Sequence, residues 1–119
     1  MTLRLPRERS FFSVASLVVG GLAVRLNLSF EQLEDLQVAV AELLERHESD
    51  DEITIVVRFV EGVMQVELGP FDESLKNELL RGDGTEVGLR RVLDTVMDGV
   101  DVTERDGKPW IELRKRVDA

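Results

Sequence analysis

The chain has 119 residues, 43% of them apolar and 33% charged, with a formal charge of −9, a single histidine and no cysteine. That length suits one domain with one core. The lack of cysteine excludes disulfide frameworks, thiolate metal sites and cysteine nucleophiles, and one histidine disfavours histidine-rich metal clusters and histidine triads. An acidic balance argues against nucleic acid, whose binding rests on neutralising phosphates.

Thr2 to Leu5 alternates apolar and polar residues before Pro6 and predicts a first strand. From Arg7 to Leu26, apolar residues recur at helical spacing on much of the circumference, which predicts a helix buried on more than one side. Its apolar core, Phe11 to Val24, superficially looks like a signal segment but is too short to span a membrane; it reads as a buried helix. Gly20 and Gly21 weaken such a helix and allow a neighbour to approach closely.

Ser29 and Gln32 form a capping-box pattern, opening a second helix that runs to His47 with Leu33, Leu36, Val40, Leu43 and Leu44 inward. Nine acidic residues and one basic residue lie between Glu31 and Glu52. This predicts a solvated acidic face, or a docking surface for a basic partner. Both chain ends are basic instead: Arg4, Arg7 and Arg9 at one, Arg114, Lys115 and Arg116 at the other; Lys108 and the C-terminal arginines read as a solvated strand end.

Ile53, Ile55, Val57 and Phe59 share one face of a strand by the period-two rule. Glu61-Gly62 predicts a tight hairpin, with Met64, Val66 and Leu68 on the core face of the returning strand. Asp72 to Leu80 reads as a short helix and Glu86 to Met97 as the last one, with Leu89, Val92, Leu93 and Val96 inward. Strand Val100 to Glu104, a turn at Asp106-Gly107 and strand Trp110 to Arg116 close the chain. The whole is a single α/β (α+β) domain: a two-layer sandwich with a mixed, mostly antiparallel sheet of about five strands and helices on one face.

The segment Asp35-Leu36-Gln37-Val38-Ala39-Val40-Ala41-Glu42, the run Val87 to Leu93, and Met97-Asp98-Gly99-Val100 with the closing hairpin resemble the GHKL (histidine-kinase-like) ATPases in their anti-sigma-factor serine-protein kinase form. The likeness runs the length of the chain. In active members a glutamate acts as general base and an asparagine four residues on ligates Mg²⁺. Glu42 matches the glutamate, but Arg46 stands at the asparagine's place. The family's histidine follows the glutamate by eight residues, whereas His47 follows Glu42 by five.

The family's Asp-x-Gly-x-Gly, which binds adenine, corresponds to Glu67-Leu68-Gly69-Pro70-Phe71, without the second glycine. Its phosphate loop ends Gly-x-Gly at a helix start, where free amides attract an anion; here stand Glu86-Val87-Gly88, or Gly82-Asp83-Gly84 if the loop shifts.

The resemblance therefore implies two readings. The first is a cytoplasmic, homodimeric regulatory protein, not an enzyme, that binds a sigma factor or a STAS-type antagonist and has impaired or lost ATP binding. In it Glu42 is a remnant and no cofactor or metal is held. The second is an active ATP- and Mg²⁺-dependent serine-protein kinase, with Glu42 as base and Glu67, Gly69, Gly82, Gly84 and Gly88 around the nucleotide. Trp110, beside Pro109, reads as a packing residue on the sheet.

Overall fold

The computed structural model describes residues 1–46, 52–81 and 88–117, the side chains of Arg46 and Arg81 excepted. The elements in chain order are β1 (Thr2–Pro6), α1 (Arg9–Arg25), α2 (Phe30–Arg46), β2 (Glu52–Val60), β3 (Val63–Gly69), α3 (Glu73–Arg81), α4 (Leu89–Val96), β4 (Gly99–Arg105) and β5 (Lys108–Arg116). This is the sequence-derived order, with ends shifted by a few residues. His47 and Glu86, expected at the end of α2 and the start of the last helix, lie outside the described residues.

The local signals act as their chemistry dictates. The Ser29 hydroxyl accepts from the Gln32 amide at 3.1 Å, while the Gln32 side-chain oxygen accepts from the Ser29 amide at 2.9 Å. This reciprocal cap satisfies two amides that a helix start leaves unpaired. Asp72 caps α3 by accepting from the Leu75 amide at 3.0 Å. Both hairpins turn on residue pairs with positive φ, Glu61-Gly62 and Asp106-Gly107, the backbone that matches the twist of paired strands.

The sheet order is β1-β2-β3-β5-β4, and all four pairings are antiparallel. The expected five strands are present, but the parallel contact that a mixed sheet requires is not. The chain leaves β3, crosses through α3 and α4, and returns as β4 one place beyond. Strand β5 then doubles back into the gap, so β3 and β4 run alike without touching. A two-residue hairpin makes that insertion cheap in chain length, whereas the crossover needs helices.

Alternation along the strands places Ile53, Ile55, Val57, Met64, Val66, Leu68, Val100, Ile111 and Leu113 on the inner face, all buried. Leu36, Ala39, Val40 and Leu43 of α2, each with no exposed surface, pack into the same core. Burial on this scale, about 25 cal/mol per Å² of apolar surface, is the main force holding helices to sheet. Helix α1 packs beside α2, and Gly20 faces the side chains of Leu33 and Gln37. A β-carbon there would stand 2.9 Å from Gln37 Nε2.

Helix α1 is buried on one side only, through Phe12, Ala15, Val19, Gly20 and Ala23. The expectation of burial on more than one side is corrected: one sheet face offers α1 one layer to lie on, with α2 at its flank.

Two cations of the basic chain ends are interior. Arg7, 6% exposed, donates to the carbonyls of Glu52 and Pro70 and lies over the Phe71 ring. Lys115, 7% exposed, projects from β5 into the helix layer. There it meets Asp35 of α2 at 3.1 Å and the Val96 carbonyl at the end of α4 at 2.6 Å. The ion pair and the α4 carbonyl together compensate its desolvation.

Removing Asp35 strands a buried ammonium, whereas removing Lys115 leaves a carboxylate that water still reaches. Asp35→Ala should therefore cost about 2 kcal/mol, in the range of a lost hydrogen bond to a charged group. It should cost more than Lys115→Met. Urea denaturation of the two variants tests the order, and equal or reversed costs would contradict it.

Candidate functional site

Helix α2 presents Asp35 toward α4, because the Lys115 tie joins Asp35 to the carbonyl of Val96. Glu42 lies seven residues further on, two helical turns and about 10.5 Å, on the same side. It is half-buried. Gly88 opens α4 at the end opposite Val96 as its buried N-terminal cap residue. Glu42 and Gly88 thus both belong to the helix layer, on the two elements that flank the region where the resemblance places a nucleotide.

Glu67 does not join them. Its neighbours Val66 and Leu68 point into the core, so alternation turns Glu67 to the sheet's other face. There its carboxylate meets Arg58 at 3.0 Å and Arg105 at 2.7 Å. Both oxygens are engaged and the side chain is one-tenth exposed. The carboxylate is thus held by two guanidinium groups on the face away from α2.

Gly69 has a local reason of its own. A β-carbon there would overlap the indole of Trp110, which lies flat on the strand. Arg105 covers the other side of the ring, its guanidinium carbon 4.6 Å from the centroid. Trp110 is therefore sandwiched between a glycine backbone and a cation and is only 8% exposed, although it stands outside the hydrophobic core. The stacking is a cation–π contact worth about 1–2 kcal/mol when partly desolvated. The packing role expected for Trp110 is observed, on the open face.

The rest of this face is also paired. Arg114 lies over Gly99 and bridges Asp101 and Glu112. Its pKa is held above the ordinary value, first by the hydrogen bond to Asp101. Arg114 is thus a member of an ion-pair lattice, which corrects its reading as a solvated strand end.

Gly82, Gly84 and Glu86, with His47, lie outside the described residues, and Arg46 is placed only by its backbone. Among the described residues no three histidine, aspartate or glutamate side chains converge as a metal site. The partners of Glu67, Arg58 and Arg105, were missed in the sequence. The signal that could have found them is parity: if Val66 and Leu68 face inward, Glu67 cannot.

A two-layer α+β domain with helices on one face and an open, ion-paired sheet face is the class this structure defines. No family model matches the chain. Its fold is similar to that of a chain in a crystal structure of the SiaB-SiaC complex from Pseudomonas aeruginosa. The TM-score is 0.66 at 12% identity, covering 98% of this chain and 89% of that one. The likeness is one of fold.

In sequence the chain is similar to serine-protein kinase RsbW of Listeria monocytogenes serovar 1/2a, 28% identical over 130 positions that cover 90% of this chain and 81% of the kinase. It is likewise similar to the RsbW of Halalkalibacterium halodurans, 28% identical over 126 positions, with 88% and 76% covered. The chain thus resembles the anti-sigma-factor serine-protein kinases of the GHKL type, as its motifs implied. The Listeria alignment is longer than the 119 residues of this chain, so that kinase carries residues inside the matched region that this chain lacks.

Trp110 is the only tryptophan, so its emission reports on the open face alone. Glu67→Ala should free Arg105 and shift the emission to the red. Gly69→Ala should do so more strongly and destabilise the fold by about 1–3 kcal/mol through overpacking. Unchanged emission in both variants would refute the sandwich.

Proposed function

We propose that the chain is a regulatory protein-binding domain of the anti-sigma-factor type whose binding of Mg-ATP is impaired or lost. Similarity to RsbW over nine-tenths of its length carries the first part of this reading. A protein partner accords with that similarity and with the fold neighbour, which was solved as a complex. The partner class is a STAS-type antagonist or a sigma factor, and the protein acts as a cytoplasmic homodimer. Among the described residues no helix is long and apolar enough to cross a membrane.

The engagement of Glu67 by Arg58 and Arg105 supports the second part. So does the sequence around Glu42: arginine stands at position 46, where active members hold magnesium through an asparagine. Glu67 turned outward and the shorter matched region point the same way. A triphosphate needs adenine acceptor, metal ligand and phosphate loop together, because phosphoryl transfer is positioning and charge stabilisation more than covalent chemistry.

A second reading, an active serine-protein kinase that phosphorylates a STAS-type antagonist, is favoured by the name its relatives carry. In that reading Glu42 is the base, and Gly82, Gly84 and Gly88 hold the phosphates.

Calorimetric titration separates the two. The regulatory reading expects no heat of binding with Mg-ATP up to millimolar concentration, while a STAS-type partner still binds. Binding of Mg-ATP at low micromolar concentration with transfer of labelled phosphate to that partner would establish the kinase instead.

A further inference from the structure

Strand β4 is the last strand on its side of the sheet, and half of its outer edge is open. Three contacts fix the direction of its backbone groups. Arg105 and Lys108 flank a two-residue turn, so they exchange hydrogen bonds, as do Thr103 with Trp110 and Asp101 with Glu112 at every second pair. The carbonyl of Pro109, opposite Glu104, accepts from the Phe71 amide at 2.8 Å and so points away from β4. The carbonyl of Val100 accepts from the Arg90 guanidinium at 3.3 Å, which places it on the free side. Alternation turns the amides and carbonyls of Val102 and Glu104 the same way.

Those four groups have no hydrogen-bond partner among the described residues. A row of unpaired strand groups is a template for another strand, and proteins commonly cover or charge it. Here Arg90 covers the edge at Val100, and the cover ends there.

Beside the open part, α3 leaves a cleft of about 110 Å³ lined by Glu73, Lys76, Val102, Thr103, Glu104 and Pro109. Pockets for drug-sized ligands run to about 300–1,000 Å³, so this one suits a single side chain. Its balance is acidic. The Glu73 side chain is 67% exposed and stands 3.9 Å from Lys76. Glu104 is exposed and makes no ion pair among the described residues. Two carboxylates against one ammonium leave a place for a cation.

We infer that β4 takes up an extended basic segment of a partner protein as a sixth strand of the sheet. Main-chain hydrogen bonds to Val102 and Glu104 hold the segment, and a Lys or Arg entering the cleft meets Glu73 and Glu104. Its neighbours in the segment turn to the open face beside Thr103, because side chains alternate. A second copy does not supply this chemistry. On the helix side β4 carries Val100, Val102 and Glu104, and β1, at the other edge, carries Leu3 and Leu5. Neither edge brings a cation to the cleft. The inference goes beyond the regulatory reading, since this edge makes no use of Glu42 or of a nucleotide.

Amide exchange followed by NMR tests the geometry without any ligand. In the free chain the Val102 and Glu104 amides should exchange at least about tenfold faster than those of Asp101 and Thr103, which bond to β5. Selection from phage-displayed linear peptides of about ten residues, with the whole chain as bait, should enrich a Lys or Arg set among β-branched or aromatic residues. A synthetic copy of an enriched peptide should slow the Val102 and Glu104 amides about tenfold. Glu73→Gln with Glu104→Gln should weaken its binding several-fold at low salt and little in about 0.5 M salt, where exposed charges are screened. Glu104→Pro removes an outward amide at an edge, where proline is tolerated, and should weaken binding at both. The exchange and glutamine readouts stand whether or not the proline variant folds.

Slow exchange at Val102 and Glu104 in the free chain would overturn the proposal, and its loss on dilution would give the edge to a second copy. So would no enrichment, enrichment of neutral or acidic peptides, or an enriched peptide that leaves both amides unchanged. None of these measurements involves Mg-ATP or a STAS-type partner, so the calorimetric titration judges the regulatory reading separately.

Discussion

The register between β3 and β5 governs the molecule. These strands join the two hairpins, and their pairing sets Val66 opposite Leu113 and Leu68 opposite Ile111. All four side chains enter the core. A slip of one residue would carry them to solvent and bring Glu67, Glu112 and Arg114 inside, an exchange no small domain could sustain. The contact of Trp110 with Gly69 reinforces this choice, since among β3 residues 63 to 69 only position 69 lacks a β-carbon under the indole.

From that register the two faces take opposite characters. Among the described residues the buried positions of the inner one are apolar except for Lys115, whose ammonium is met by Asp35 and by the end of α4. One cation thereby ties strand, central helix and last helix, at the place where the chain returns from its crossover. Among the described residues no helix covers the outer face, which carries side chains that satisfy one another: Arg58 and Arg105 on Glu67, Arg114 on Asp101 and Glu112. Pairs of this kind contribute little stability singly. Their larger effect is to place charge where an exposed sheet could otherwise meet other sheets.

The edge of the sheet is distinct from both faces. Of the elements that resemble a kinase's nucleotide region, Glu42 and Gly88 belong to the helix layer, while Glu67 and Gly69 belong to the open face of the sheet. The proposed docking edge lies along β4, with β5 between it and β3. A contact at that edge makes no demand on Glu42 or on Gly88. Protein binding can therefore persist in a chain whose nucleotide motifs have diverged, because the two functions draw on different parts of the fold.

Much of this was legible in the residues themselves. The capping box at Ser29 and Gln32, the hairpins at Glu61-Gly62 and Asp106-Gly107, and the order of strands and helices follow from local chemistry, which acts over a few residues and needs no partner. Period-two alternation also held the orientation of Glu67, although likeness to an adenine-binding motif pointed the other way. What only the tertiary structure decided was which cations go inside, why Gly69 is glycine, and where β5 inserts. Arg7 meets Pro70, Lys115 meets Asp35, and Trp110 meets Gly69 across separations of 63, 80 and 41 residues. Nothing local distinguishes a solvated lysine from a buried one. The difference lies in a carboxylate and a carbonyl that folding alone brings within reach.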